Sequence, residues 1–561
     1  MPVLQFKGKT AVESYHYTVP HHTLEFDKKL SVLEKGQKPS LDGNLIIEGD
    51  NLLALKALLP THAGRVKCIY IDPPYNTGNE GWVYNDNLTQ PQFKEWIGQT
   101  VGKEGEDACR HDKWCCMMYP RLQLLKEMLR EDGAIFVSID DNEAQNLRAM
   151  LDEIFPNNFV ATVIWEKVYS PKSSAKYFSE NHDYIVVYAK NKEKWKRRLL
   201  PRTEEANARY SNPDDDPRGD WKPSGLDARN YYSKGTYSID CPGGRHIEGP
   251  PPGSYWRVSE DDFWDMDEDS RIWWGDDKNN VPAIKRFLSD VRDLVPETIW
   301  TYREVGHTQD AKKEVLRILG GLETPLTPKP LDLLQRICWI GSEPGDIILD
   351  SFSGSGTTAH AVIRMNAEEG QDRKFVLVQQ PFDTKDNQQE RLNICERITA
   401  PRVTRAIKGY EYVKRGPKGK RTKMKEPGLG GSFTYCRLGP PLFGEYRDFG
   451  DKLPKWENLA RYVFYTETSG ESDPKRFDEK TGFVGQTEAD GGTSYYLLYT
   501  TNDQESRQMS VRTLNEMVKV DKNRNWVVYC EKIWIHPDEL AKFEGENRKK
   551  VRAMVVPFNL K

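Results

Sequence analysis

Four consecutive residues, Asp72-Pro73-Pro74-Tyr75, place an acid, two prolines and an aromatic ring directly after an apolar run at 68–71. The apolar run predicts a buried β-strand. Proline fixes φ and has no backbone N–H, so Pro73 and Pro74 end the strand and leave carbonyls without a role in the ladder. A carboxylate and a free carbonyl are acceptors that a ligand with N–H groups can use. The same residues also fit a plain proline turn, in which Asp72 caps and Tyr75 packs.

A second candidate site lies in the stretch DIILDSFSGSGTTAHAV at 346–362. It predicts a strand, a turn of small residues and the start of a helix, whose free N–H groups and positive dipole end face a ligand. Asp350 at the strand end and Phe352 in the turn suit a zwitterionic amino acid beside an aromatic nucleoside. The stretch lacks the third glycine of the dinucleotide fingerprint and the lysine of a P-loop, so a purely structural tight turn remains an alternative.

The elements around both stretches alternate between strands and helices. Apolar runs at 66–72, 134–140 and 184–190 read as strands, and the segment 119–132 between the first two has helical spacing. A further strand–helix–strand pattern follows at 346–380. Strands that alternate with helices predict a parallel, doubly wound α/β sheet.

The bulk composition limits the class of protein. The chain has 561 residues, 30% of them charged, and a mean hydropathy of -0.74, which predicts two or three domains and no membrane span. The N-terminus lacks the layout of a secretory signal, so we expect a cytoplasmic protein. Nine scattered cysteines without a C-x-x-C pair argue against a zinc site or a disulfide framework. The chain has no G-x-x-x-x-G-K-[ST] motif, which argues against an ATP motor.

The two stretches together resemble S-adenosylmethionine-dependent DNA amino-methyltransferases, with Asp72-Pro73-Pro74-Tyr75 as catalytic motif and D-x-F-x-G-x-G-T at 350–357 as cofactor motif. The catalytic motif comes first, which is the order of the group with a permuted sheet. The stretches IEGDNLLALKAL, IDPPYNTG, NHDYIVVYAKN and VGHTQDAKKE are similar to Mod subunits of type III restriction-modification systems and their orphan relatives. The resemblance covers about 45–400 and implies a Rossmann-like methyltransferase sheet.

Shifts in composition and in the pattern of strands and helices predict a domain organisation, and the resemblance implies the role of the insertion. The expected parts are an N-terminal arm at 1–44, the catalytic half of the methyltransferase domain at 45–190, a target-recognition insertion at 191–326, the cofactor half at 327–401, a basic linker at 402–429 and a small C-terminal α+β domain at 430–561. The insertion is irregular and rich in Gly, Pro, Asp and aromatic residues.

In the implied reaction, the Asp72 carboxylate and the Pro73 carbonyl each accept one N–H of an exocyclic amine and turn its lone pair toward the methyl of the sulfonium. Pro74 holds the loop rigid, and Tyr75 stacks on a base flipped out of the duplex. Cytosine C5 chemistry is excluded because it requires a Pro-Cys loop, which the sequence lacks. This mechanism does not choose between adenine N6 and cytosine N4, but Asp in first position favours adenine by resemblance.

The resemblance assigns S-adenosylmethionine to a set of residues in four segments. Asp50 could equally be the N-cap of a helix. The segment 327–330 could equally be a plain loop before a helix. Gln379 and Gln380 stand where the wider family has an acid for the ribose hydroxyls, and an amide can still bond a diol. The predicted cofactor-binding residues are Asp50, Thr327, Lys329, Pro330, Asp350, Phe352, Gly354, Gly356, Thr357 and Gln379.

DNA contacts are expected mainly from the insertion, with the lysines and arginines near its start on phosphates and its aromatic residues as wedges. For each of these residues an ordinary surface or core role is an equal alternative. The basic run at 402–425 is either a DNA-contacting linker or a solvated tether. The predicted DNA-binding residues are Lys194, Lys196, Arg197, Arg198, Trp221, Tyr231 and Tyr232.

We therefore expect a site-specific methyltransferase that acts on adenine N6 in double-stranded DNA, forms a homodimer and pairs with a separate restriction subunit if it belongs to a restriction system. A cytosine-N4 enzyme and an enzyme for structured RNA are alternatives within the class. A DNA-specificity subunit that has lost catalysis is an alternative from another class.

Overall fold

The computed structural model describes residues 3–77, 110–322, 324, 326–382, 392–415, 421–443, 453–470, 472–488, 492–501 and 507–556. They form two compact units, Met1–Arg198 with Glu297–Lys561, and Leu199–Pro296. Among the described residues, no helix is both long and apolar enough to cross a bilayer. The eight cysteines in the described ranges are buried and free, and those ranges contain no cluster of metal-ligating side chains.

A ten-stranded sheet organises the larger unit. Its strands, in chain order, are β1 His22–Val32, β2 Leu45–Glu48, β3 Val66–Ile71, β4 Leu129–Ile139, β5 Phe159–Glu166, β6 His182–Ala189, β7 Ile299–Trp300, β8 Ile347–Asp350, β9 Lys374–Gln379 and β10 Phe433–Pro441. The spatial order is β1-β10-β2-β9-β8-β3-β4-β6-β5-β7. The strands from β10 to β4 in that order are mutually parallel. This is the mostly parallel, Rossmann-like α/β sheet that the sequence predicts.

Strand β6 departs from the predicted parallel pattern, because it runs antiparallel to both β4 and β5. The sequence places only the loop 167–181 between β5 and β6, and no helix lies there. A parallel connection usually contains a crossover helix, whereas neighbouring antiparallel strands need none. The first residues of β6 therefore lie at the edge where the parallel strands end.

Two groups of helices cover the sheet. On one face, α1 Asn51–His62, α2 Arg110–Met128 and α3 Ala144–Ile154 pack together in the main core. Longer helices elsewhere in this part are α4 Thr308–Ile318, α5 Leu331–Gly341, α6 Thr357–Glu369 and α7 Ala400–Lys408. Of these, α5 contacts β3 and β4 and also packs on α6. Helix α2 ends at Met128, four residues before the predicted end, because the chain enters β4 at once.

Strand β3 shows why the central sheet forms. All six of its residues are buried, which is the pattern of a parallel strand covered on both faces. Ile69 and Ile71 belong to the core under α1–α3, while Cys68 lies against Gly341 of α5. The strand ends at Ile71, immediately before Asp72 and the two prolines.

The C-terminal part has its own four-stranded sheet, with β11 Phe483–Thr487, β12 Thr493–Leu498, β13 Asn525–Cys530 and β14 Lys550–Val555 in that spatial order. Its helices are α8 Trp456–Thr468, α9 Val511–Val520 and α10 Pro537–Asn547. The segment 430–561 was expected to be a separate domain, but its first strand, β10, lies inside the main sheet. The expected N-terminal arm likewise supplies edge strand β1.

The expected basic linker at 402–429 is regular structure. It contains most of α7 and then a two-stranded antiparallel hairpin, Gly409–Arg415 paired with Arg421–Pro427, which we call the basic ribbon. Arg402 and Arg405 of α7 are used in packing: Arg402 is fully buried and Arg405 donates to the Ile318 carbonyl. The basic composition of this segment was therefore not evidence of a flexible tether.

The smaller unit spans Leu199–Pro296, whereas the sequence predicted an insertion at 191–326. It contains a three-stranded sheet of Trp221–Gly225, Ile272–Trp273 and Ala283–Phe287, and a helix at Glu260–Glu268. The segment after 296 returns to the larger unit, where β7 pairs with β5.

Candidate active site

The loop after β3 and the loop after β8 line one cavity of about 1080 Å³. Strands β3 and β8 are neighbours and parallel, so their carboxyl ends lie at the same edge of the sheet, where ligands of open α/β sheets bind. The lining contains eleven of the predicted site residues: Asp72, Pro73, Pro74, Tyr75, Thr327, Lys329, Asp350, Phe352, Gly354, Thr357 and Gln379.

Asp72 forms a close ion pair with Lys329. The Lys329 ammonium lies 2.6 Å from each carboxylate oxygen of Asp72. It also lies 4.9 Å from the ring centroid of Tyr75, within the range of a cation–π contact. One N–H donor group thus occupies the space between an acidic acceptor and an aromatic face.

Tyr75 is fixed at its hydroxyl end by Asp183. The Tyr75 hydroxyl donates to Asp183 Oδ2 at 3.3 Å, and Lys167 Nζ donates to the other Asp183 oxygen at 2.6 Å. Asp183 is almost fully buried. Burial, together with the charges of Asp72 and Asp183, raises the pKa of Tyr75 well above its ordinary value, so the phenol stays neutral.

The proline loop is held by its backbone. Trp114 Nε1 donates to the Pro74 carbonyl at 2.7 Å. Among the described residues none donates to the Pro73 carbonyl, which leaves it available to a ligand. Asn76 adopts a left-handed φ of 56°, and its side chain donates to the buried Glu143, which fixes the end of the proline loop.

The glycine loop needs its two glycines for different reasons. Gly354 and Gly356 have φ of 49° and 78°, which glycine adopts without steric cost. A Cβ at Gly354 would meet no atom closer than 3.9 Å, so this side of the loop is open. A Cβ at Gly356 would lie 3.2 Å from Thr399 Cγ2, because the loop packs closely against the segment before α7.

Gln379, predicted to bind the ribose, holds the glycine loop in this structure. Its Oε1 accepts from the Gly354 N–H at 2.7 Å, and its amide nitrogen donates to the Gln380 carbonyl at 3.1 Å. Gln379 lines the cavity, but both ends of its amide have partners within the protein.

A second brace comes from residues that sequence analysis did not select. Thr399 Oγ1 donates to the Gly354 carbonyl at 2.6 Å. Arg402 donates to Ser355 Oγ at 2.9 Å and to Thr357 Oγ1 at 2.6 Å. These contacts fix the Gly354 carbonyl and the hydroxyls of Ser355 and Thr357.

Asp350 is buried and lines the cavity. It accepts hydrogen bonds from the Phe352 N–H at 3.0 Å and from the Thr358 hydroxyl. Burial raises the pKa of Asp350 to about 7, and the nearby Asp72 charge adds to the shift, while Thr358, Phe352 and Lys329 oppose it. A carboxyl with a pKa near neutrality in a cleft is typical of functional sites.

Three predicted cofactor residues are not part of the lining. Asp50 accepts from the N–H groups of Leu52 and Leu53 as the N-cap of α1, and pairs with Arg121 at 3.1 Å. Pro330 is the buried N-cap residue of α5, and Gly356 precedes α6. Their positions fit the structural alternatives that the sequence left open.

The predicted phosphate-binding residues in the larger unit differ in availability. Lys194, Lys196 and Arg197 are exposed, and Lys194 lies 3.7 Å from Glu131. Arg198 pairs with Glu369 at 2.9 Å and stacks on Trp339 at 3.6 Å. Those contacts give Arg198 a packing role.

The predicted aromatic wedges lie in the smaller unit. Trp221 is 2% exposed, and its Nε1 donates to Asp214 at 2.8 Å. Its position places Trp221 in the core of that unit and does not support the predicted DNA contact. Tyr231 is 77% exposed, Tyr232 is half-buried, and Tyr231 packs edge-on against Tyr255.

Asp183 and Lys167 are the main cavity residues that the sequence analysis missed. Asp183 lies in NHDYIVVYAKN, which carries the family resemblance but received no role. An acid at the start of an otherwise apolar strand could have indicated a site residue. That inference requires knowing that the strand runs antiparallel, since only then does its start lie at the cavity edge of the sheet. Thr399 and Arg402 had no comparable signal, because their contacts are entirely tertiary.

Comparison with known proteins agrees with the geometry of this site. Residues 66–380 match the DNA methylase family N6_N4_Mtase, over more than half of the chain. The chain belongs to this family of DNA methylases.

Three relatives are Mod subunits of type III restriction-modification enzymes. StyLTI Mod of Salmonella typhimurium is 33% identical over 377 residues, covering 64% of this chain and 56% of the relative. EcoP15I Mod of Escherichia coli is 30% identical over 455 residues, covering 72% and 69%. EcoPI Mod of Escherichia phage P1 is 31% identical over 413 residues, covering 67% and 63%. The aligned part thus spans between 56% and 69% of these relatives.

Proposed function

We propose that this protein transfers a methyl group from S-adenosylmethionine to N6 of an adenine in a specific double-stranded DNA sequence, as the modification subunit of a type III system or an orphan relative. The observation that carries the proposal is the single cavity lined by both the Asp72–Tyr75 loop and the Gly354 loop. Family membership and the Mod relatives support the same reaction.

The proline loop supplies the acceptors for the target amine. Asp72 and the Pro73 carbonyl each accept one N–H, so the nitrogen lone pair points away from them. The Lys329 ammonium now holds this position, and the amine takes it over by displacing Lys329 from Asp72. The carboxylate stabilises the positive charge that develops on the nitrogen.

Tyr75 provides a face for the extruded base. Flipping costs a few kcal/mol in unstacking and unpairing, and stacking on an aromatic ring offsets part of that cost. Asp183 and Lys167 hold the Tyr75 hydroxyl and so limit the orientations of the ring.

The residues around the glycine loop fit S-adenosylmethionine. Asp350 is an acceptor for an ammonium group, Phe352 offers an apolar face, and the first turn of α6 presents N–H groups to a carboxylate. The buried Ser353 hydroxyl lines the cavity without a partner among the described residues, and Gly354 leaves space beside it. When bound, S-adenosylmethionine supplies an electrophilic methyl group.

The proposed partners follow from the resemblance to Mod subunits. Double-stranded DNA is the substrate, a homodimer lets one protomer read the sequence while the other modifies it, and a separate subunit performs restriction where one exists. We place the protein in the cytoplasm, where host DNA lies.

The decisive experiment is transfer of radiolabelled methyl from S-adenosylmethionine to plasmid DNA by the purified protein. We expect incorporation by the wild type and by Glu131→Ala, an exposed control, and a loss of at least about 100-fold in Asp72→Ala. Circular dichroism checks that Asp72→Ala is folded. A wild type that binds DNA without transferring methyl would identify a specificity subunit instead.

The product identifies the base. Nucleoside analysis of the methylated DNA should give N6-methyl-2′-deoxyadenosine, and methylation-sensitive sequencing should place it in one sequence context. N4-methylcytosine would replace the adenine assignment while leaving the reaction type intact. Methylated RNA with unmodified DNA would contradict the proposed substrate.

A further inference from the structure

The basic ribbon, Gly409–Arg415 with Arg421–Pro427, carries an excess of basic residues. The sequence from 409 to 427 contains seven Lys or Arg and two Glu, in a chain with a formal net charge of -4. Charge of one sign concentrated on one small element produces a local field that the net charge does not reveal.

The ribbon has an inner aromatic side and an outer basic side. Tyr410 and Tyr412 are half-buried, and the intervening Glu411 and the following Val413 are exposed. Arg317 of α4 lies over the Tyr412 ring at 5.1 Å, so the tyrosine side faces the body of the unit. Successive side chains of a strand point to opposite faces, which turns the other side outward.

Lysines occupy the outward side and the far end of the ribbon. In the antiparallel register Lys423 is opposite Val413, and Lys425 is opposite Glu411. Lys414, Lys423 and Lys425 are all exposed. Within the described ranges none of the three has an ion-pair partner within 4 Å, so their charges are available to a ligand.

The base of the ribbon is fixed to the body. A Cβ at Gly409 would lie 2.6 Å from the Glu426 carbonyl, so the two strands approach each other closely there. The ribbon contacts both α4 and α7. Its direction is therefore set by packing at the tyrosine side.

Helix α4 connects the ribbon to the candidate active site. Thr308 and Gln309, at its start, line the cavity, and Arg317, near its end, holds the tyrosines. Nine residues of helix span about 14 Å. A duplex that presents a base to the cavity extends beyond this distance, since each base pair adds about 3.4 Å.

We propose that the basic ribbon binds the phosphate backbone of duplex DNA beside the target base, through Lys423 and Lys425 on its outward side and Lys414 at its far end. This inference rests on the proposed function and adds a contact surface outside the expected recognition insertion. A two-stranded ribbon has the width that the major groove admits, and lysine binds phosphate as a point charge. Contacts of this kind position the duplex without reading its sequence.

The test replaces the three lysines together by glutamine and measures binding of fluorescent duplexes, with and without the target sequence, between 50 and 300 mM KCl. We expect the plot of log affinity against log salt to become shallower by about 0.9 for each phosphate that the variant no longer neutralises, with about tenfold weaker binding near 150 mM salt. The decrease in affinity should be equal for both duplexes. Affinity for S-adenosylmethionine and kcat at saturating DNA should stay unchanged.

A matched control removes three other exposed lysines, Lys519, Lys532 and Lys542, by the same substitution. This control should bind DNA like the wild type. An unchanged salt slope in the ribbon variant, or an equal change in the control, would overturn the inference. These binding measurements need no turnover, so they fail or succeed separately from the methyl-transfer test of the proposed function.

Discussion

At the scale of single residues, the ring of Tyr75 matters more than its hydroxyl in the proposed reaction. Tyr75→Phe removes the 3.3 Å hydrogen bond to Asp183 but keeps the aromatic face, and Asp183 retains its partner Lys167. We expect kcat/KM to fall less than about tenfold in Tyr75→Phe and about 10- to 100-fold in Tyr75→Ala, because stacking contributes on the order of 1–3 kcal/mol. Steady-state kinetics on target DNA measures both; equal decreases in the two variants would refute the stacking role.

The raised pKa of Asp350 leads to a prediction about how the free energy of unfolding depends on pH. Its folded pKa of about 7 lies above the ordinary value of 3.8, because burial disfavours the charged form. Between about pH 4 and 7 the folded protein therefore holds a proton on Asp350 that the unfolded chain has lost. The contribution of Asp350 to the free energy of unfolding is fully present below about pH 4 and is lost as the pH rises to about 7. Its slope reaches at most about 1.4 kcal/mol per pH unit.

Asp350→Asn removes this titration while keeping a similar shape. We expect the difference in unfolding free energy between Asp350→Asn and the wild type to grow in favour of the variant between pH 4.5 and 7 and then to stay constant. Denaturant unfolding without ligand at several pH values measures that difference. A difference that is flat across this window would place the pKa of Asp350 outside it.

At the scale of elements, the glycine loop depends on the segment that leads into α7. Thr399→Val removes the 2.6 Å hydrogen bond to the Gly354 carbonyl with little change in volume. An unsatisfied buried acceptor costs about 1–3 kcal/mol, so we expect affinity for S-adenosylmethionine to fall about tenfold or more. Isothermal titration calorimetry measures the affinity directly.

Two variants make that experiment specific. Thr399→Ser keeps the hydroxyl and should restore affinity close to that of the wild type. Thr404→Val, the same substitution at a half-exposed position of α7, should bind normally. Wild-type affinity in Thr399→Val would show that the brace does not affect the cofactor loop.

At the scale of the whole molecule, strand β10 joins the C-terminal region to the main sheet between β1 and β2. A chain that ends at Gly431 lacks β10, whereas a chain that ends at Phe443 keeps it. We expect the shorter chain to unfold at least about 10 °C below the longer one, because removing β10 separates β1 from the rest of the sheet. Thermal unfolding followed by circular dichroism tests this; equal midpoints would contradict the sheet order.

The sequence went furthest where a property is local. The strand ending at Ile71, the prolines after it and the glycine turn before α6 follow from backbone chemistry, and the family resemblance linked them. The structure agrees with the predicted sheet class and brings both loops to one cavity. It differs at β6, at the basic ribbon and at Trp221, where the outcome depends on contacts with residues far along the chain.

By itself, the sequence determined the chemical types available at the site, because an acid, free carbonyls and glycines keep their properties in any fold. Only the tertiary structure decided which of them meet. The ion pair of Asp72 with Lys329, the support of Tyr75 by Asp183 and the brace of Gly354 by Thr399 join residues between 45 and 257 positions apart. Such contacts arise from strand order and direction, which local residue patterns do not specify.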